Sequence, residues 1–246
     1  MVSSFLLVSL NVDAILSEIT PHQRKKKLHE MANGGVLGHA YAATLSRMKA
    51  EPESRSKLGM EVLMWASHVE RPLYIDELCY ALGVEAGSID LNTRNLLAIK
   101  TLIQCSLRLV TVEKSSSTVR LVHQTLQEHL SNNPNFFIKP HSMITEACLT
   151  YFDFLHVRDL SPTARSVPPT APLVEYASSH WGSHARRGNT EGVKTLALKL
   201  FDGYDKHISS KIVLRGVSSW SQPFDQETPL EDLRGFTAPH SSDAKR

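Results

Sequence analysis

Cysteine is scarce in this chain. Cys79, Cys105 and Cys148 are the only three among 246 residues. An odd, widely spaced set makes no disulfide framework, so the thiols read as buried core groups in a reducing compartment. Charge of one sign is also lacking. The 27 basic residues nearly balance 25 acidic ones, leaving +2. That balance removes any broad electrostatic pull toward nucleic acid or an anionic membrane. No apolar run is long enough to span a bilayer; the opening stretch Met1–Leu10 is too short, and it carries no basic residue ahead of its apolar core. It reads as an amphipathic or buried helix, and the expected compartment is the cytoplasm.

Two chemical motifs are missing as well. There is no G-x-x-x-x-G-K-[ST] run, whose backbone N–H groups would cradle phosphates, and no apolar strand ending in paired acids to hold Mg²⁺. Nor is there a G-x-S-x-G elbow to expose a nucleophilic serine. The chain is therefore expected to be no enzyme and to have no catalytic residue.

What is there is mostly helical pattern. Thr20-Pro21 with Gln23 spells a capped helix start, and Arg24–Lys27 reads as its solvated face. Asn33-Gly34-Gly35 is a stop. Tyr41, Leu45 and Met48 give the next helix an apolar stripe. Leu58, Val62, Leu63, Trp65, Ala66 and Val69 mark another, ended by Pro72. Ile75, Leu78, Cys79 and Leu82 fall on one face of a short helix stopped by Gly83. Leu96, Ile99, Leu102, Ile103 and Ser106 form a third. Leu109–Glu113 and Thr118–Val122, joined by Ser115-Ser116-Ser117, read as a hairpin.

Three helices followed by a hairpin is the order of a winged helix-turn-helix. The fold class is thus mainly α with one β-hairpin wing. A helical linker over residues 1–57 leads into the winged helix at 58–133. A helical arm at 140–215, including Leu173–Arg187 and Glu191–Tyr204, follows, and 216–246 is a disordered tail.

His123 stands where the alternating strand ends and a short amphipathic helix begins. Val119, Leu121 and His123 would share one strand face. A histidine there is either packed and bonded to backbone or free to donate to a ligand oxygen. His180 and His184 are four apart, but no glutamate lies between them, Gly182 weakens the helix, and no third ligand is evident; no metal site is expected. A DNA-reading helix would run from Arg94 to Arg108. Its basic residues Arg94, Lys100 and Arg108 are too dispersed for a phosphate stripe, although Thr93, Asn95 and Gln104 offer base-contacting groups. The sequence argues against nucleic acid as a partner.

Several of these segments resemble one family. Arg71-Pro72-Leu73, Asp76-Glu77-Leu78 and Ala81-Leu82 are similar to the opening of the helix-turn-helix in fungal NACHT-ankyrin proteins of the STAND class, whose winged helix also carries the name of GPI inositol-deacylase. Leu107–Val112 and the wing ending in His123 continue the likeness. So do Phe5–Asn11, Ala147–Tyr151 and Leu173–Trp181, over most of residues 1–187. The resemblance implies a regulatory segment of a nucleotide switch. The winged helix would hold a nucleotide-bound NACHT core inactive, with His123 touching the nucleotide. The arm would carry the movement to ankyrin repeats downstream.

ATP or ADP and Mg²⁺ belong to that core and not to this chain, whose own cofactors are expected to be none. Gly235–His240 is similar to the start of an ankyrin repeat, with Pro239 where a leucine belongs. The expectation is of a segment whose catalytic half lies elsewhere or was lost, acting through protein contacts with a NACHT core in cis or trans. A stand-alone or dominant-negative partner of full-length relatives is the second reading. A DNA-binding winged helix is the third.

Overall fold

A computed structural model describes residues 18–32, 37–85, 87–158 and 169–202, with Leu16 and Leu160. They are mainly helical with one small antiparallel sheet, the expected class. Helix α1 is Pro21–Ala32. Thr20 Oγ1 accepts from the Gln23 N–H and Gln23 Oε1 from the Thr20 N–H, both at 3.2 Å, which is the reciprocal cap read from the sequence. Asn33-Gly34-Gly35, the N-terminal apolar stretch and everything from residue 203 onward lie outside the described residues, and with them the expected tail and ankyrin start.

Helix α2 (Leu37–Ala50) buries Tyr41, Leu45 and Met48 as its stripe. Helix α3 (Glu53–His68) starts five residues before the apolar pattern does, because Pro52 sets the entry and Glu53 favours the first turn. The 57/58 limit falls inside α3. Val62, Leu63, Met64 and Trp65 sink into the core.

The sheet corrects the expectation of a lone hairpin. Strands β2 (Val110–Glu113) and β3 (Thr118–Leu121) pair as foreseen, with Val112 opposite Val119. A third strand, β1 (Leu73–Tyr74), pairs antiparallel with the other edge of β3, giving the order β1-β3-β2. Two residues are too few for alternation to show in a sequence, and Pro72 looked only like a helix terminator. Proline also holds the residue before it extended, which delivers the chain to the sheet. Helix α4 (Ile75–Gly83) follows at once.

The third helix is also shorter than expected. In place of Arg94–Arg108, or of Leu96–Ser106, α5 spans only Ile99–Cys105. The Asn92 side chain accepts from the Arg94 N–H at 3.1 Å and closes a 3-10 turn over Thr93–Asn95; Ala98 is then extended. At the far end the Leu107 N–H donates to Gln104 O and the Arg108 N–H to Ile103 O, both at 3.1 Å. This is a Schellman closure, with Leu107 at φ 47° where glycine is usual, and Arg108 at φ 61°. Helix α3 crosses α5 so closely that a Cβ at Gly59 would lie 2.3 Å from the Cys105 carbonyl oxygen.

Helix α6 (Gln124–Ser131) packs on α2 and β3. The arm comprises α7 (Pro140–Phe152), α8 (Leu155–Arg158), α9 (Val174–Arg187) and α10 (Glu191–Asp202). Trp181, Leu173 and Tyr176 are buried there, as the apolar pattern required. Buried apolar side chains run without a break from Tyr41 to Leu200, so winged helix and arm share one core. Cys105 and Cys148 are buried free thiols in it, and Cys79 is half-buried. Among the described residues no helix is long and apolar enough to cross a membrane.

Candidate functional site

His123 is not on the strand face: β3 ends at Leu121, and His123 is the N-cap of α6. Its backbone is extended, and its Nδ1 accepts from the Thr125 N–H at 3.2 Å, the bond an aspartate or serine makes at most helix starts. Thr125 Oγ1 lies 2.9 Å from the same nitrogen and 2.9 Å from the Tyr41 hydroxyl. Burial pushes the Tyr41 phenol up, which keeps its proton. The order of bonding is then consistent from end to end. Tyr41 donates to Thr125 Oγ1, Thr125 donates to His123 Nδ1, and the neutral imidazole must carry its proton on Nε2. The local sequence thus turns His123 into a held donor.

His123 lines an open cleft of about 300 Å³ between the end of α3, strand β3 and the start of α6. Arg71, Arg120, Gln124 and Gln127 share its wall. Two of these are already committed. Arg71 grips the buried Glu77 carboxylate through both terminal nitrogens at 2.7 Å and stacks near Tyr74 and Tyr176. Gln127 Nε2 donates to Ser67 O at 2.8 Å. His123, the exposed Gln124 and the exposed Arg120 are left as the polar groups available to a visitor. Glu77 itself also accepts from the Tyr74 N–H at 2.8 Å, tying the first turn of α4 to the sheet.

A second cluster of histidines extends beyond the pair His180 and His184 seen in the sequence. His68 on α3, His141 on α7 and His180 and His184 on α9 meet at the seam between the winged helix and the arm. His68 and His141 are far from that pair in sequence, so spacing could not show the cluster. Tyr176 Oη accepts from the Glu70 N–H at 3.1 Å and lies 2.8 Å from His184 Nε2; His184 Nδ1 lies 2.8 Å from His141 Nδ1. The two bonds run in one sense along the chain: His184 either accepts from the Tyr176 hydroxyl at Nε2 and donates from Nδ1 to His141, or donates to Tyr176 and accepts from His141. His184 is fully buried with both nitrogens used. Burial pushes His68, His141 and His180 down and takes His184 down to about 4, with the neighbouring histidines adding to the shift. Arg187 closes the seam by pairing with Glu70.

The pair His180 and His184 does not converge on a ligand position. His184 faces His141 and Tyr176, whereas His180 lies against the Tyr176 ring at 4.8 Å. Among the described residues no three His, Cys, Asp or Glu side chains are grouped to hold a metal ion. Of the DNA-reading set, Arg94 sits on the 3-10 turn, Lys100 on α5 and Arg108 beyond its end, so they share no helix face.

Residues 45–138 match the model of the family described as GPI inositol-deacylase, winged helix domain. The matched segment runs from the middle of α2 past the wing and α6, and so contains His123, Thr125 and the whole cleft. No curated protein and no solved structure matches the chain.

Proposed function

We propose that this chain is a non-catalytic regulatory segment of a NACHT-type nucleotide switch of the STAND class, acting through protein contacts. Its winged helix would seat on a NACHT NTPase core in cis or trans, presenting His123 to the bound nucleotide. The observation that carries the reading is the capped histidine. Its Nδ1 is spent on Thr125, which leaves Nε2–H as a donor at the wall of an open cleft. Such a contact exists only while the domain is docked, so it biases a two-state equilibrium toward the docked form. The continuous core between winged helix and arm supports the rest, because a displacement of one must be felt by the other. ATP or ADP and Mg²⁺ would be cofactors of the core, and the ankyrin repeats a downstream partner. The deacylase named in the matched family is not carried over, since the chain has no nucleophile elbow.

The test uses the full chain and a separately produced, ADP-loaded NACHT core. Capture should be measurable and should weaken about tenfold in His123→Asn, which keeps the helix cap but not the imidazole donor. Failure to capture a matched core, or equal capture by the variant, would sink the reading. The chain alone should release no phosphate from ATP; steady release would contradict a non-catalytic role.

A further inference from the structure

A second cleft, of about 390 Å³, opens where the end of α2, the start of α3 and the end of α5 meet. It is lined by Arg47, Arg55, Gln104, Leu107 and Arg108. Three guanidinium groups from three separate elements therefore converge on one depression. Among the described residues one carboxylate contacts them, Glu51, paired with Arg55 at 3.1 Å, so the balance is two positive charges. Neither Arg47 nor Arg108 has an acidic partner among the described residues, and Arg47 Nε is buried without an acceptor.

Arg47 lies in the last turn of α2 and Arg108 follows the end of α5, places where a cation is at home. Arg55 is in the first turn of α3, where the helix field opposes a cation and favours an anion. Arg108 reaches this place only through the left-handed pair Leu107-Arg108, a backbone conformation that non-glycine residues rarely hold. The cleft is distinct from the one at His123: Arg55 and Ala66 on α3 are separated by roughly 16 Å of helical rise.

We propose that this arginine cleft is a binding site for a phosphate dianion, with Arg47 and Arg108 as the principal donors and Gln104 as a neutral one. Guanidinium groups present paired N–H donors that match phosphate oxygens, and the charge balance suits a dianion. The phosphate can arrive free or esterified on a phosphoserine side chain, and the chemistry at the arginines is the same.

The experiment titrates the full chain by calorimetry with inorganic phosphate, with a short phosphoserine peptide and with its unphosphorylated counterpart, at constant ionic strength. A single saturable site for either phosphate probe, weakened about tenfold in Arg108→Gln and in Arg47→Gln, supports the proposal. Far tighter binding of the phosphopeptide identifies an esterified source; equal binding identifies free phosphate. Arg108 is exposed, so its variant keeps the test valid if Arg47→Gln does not fold. Absence of saturable binding to both probes overturns the site. So does binding that both variants leave unchanged, or a short DNA duplex that binds through the same arginines far more tightly than either probe.

Discussion

Two histidines at the two ends of one core behave oppositely. His123 is half-buried, spends one nitrogen on its own helix and holds the other at the wall of a cleft. His184 is fully buried, and both of its nitrogens are bonded inside the protein. The difference separates a group that can meet a ligand from one that joins two parts of the fold. His123 is available for recognition because the fold uses only one of its two ring nitrogens.

The largest effect should come from breaking the seam. His184→Leu leaves the Tyr176 hydroxyl with only its Glu70 bond in a buried site and the half-buried His141 Nδ1 without a partner, a loss of about 3 kcal/mol at roughly 1–3 kcal/mol for each group. Chemical denaturation should show it. A change below about 1 kcal/mol would mean that the histidine chain does not bind arm to winged helix.

Acid should attack the same seam. His184 in the folded chain is held at about 4, below its ordinary value of 6.5, so the unfolded chain takes up the proton first as pH falls. Its stabilising contribution is complete above 6.5 and is lost progressively as the pH falls from there to about 4. The full loss is about 3 kcal/mol for this one group. His68, His141 and His180 are shifted in the same direction. Unfolding measured across that window should weaken steeply in the native chain and less in His184→Leu; parallel curves would remove His184 as the cause. Gly188→Ala sharpens the comparison at a smaller scale. Its Cβ would lie 2.4 Å from the Ser142 backbone nitrogen, so α9 must shift on α7 at a cost of about 2 kcal/mol. The His123 cleft should be unaffected, and core capture with it.

Local pattern made the His123 side legible. The apolar stripe of α2, the cap at Thr20, both wing strands and the histidine between strand and helix could all be read from neighbours in sequence. Strand β1 could not, because two residues carry no period and take their identity from pairing with Thr118 and Val119. The short α5 was misread because its apolar spacing continues into residues that the Asn92 turn and the Schellman closure remove from the helix. The seam and the arginine cleft were invisible for another reason. His68, His141 and His184, like Arg47, Arg55 and Arg108, come together only through helix packing across long stretches of chain.

The smallest effect separates the two duties of His123. As an N-cap it satisfies the Thr125 N–H, and His123→Ala should cost about 1 kcal/mol of stability. Asparagine is a better cap than histidine by its usual preference, so His123→Asn should restore that stability while still lacking the Nε2 donor. If the residue is structural alone, the asparagine chain will match the native one in both unfolding and core capture. If it is a held donor, unfolding will be native and capture will fall. Thr125→Val removes the hydroxyl that links Tyr41 to His123 but leaves the capped N–H in place. It should weaken capture less than His123→Asn, because the backbone bond still keeps the proton on Nε2.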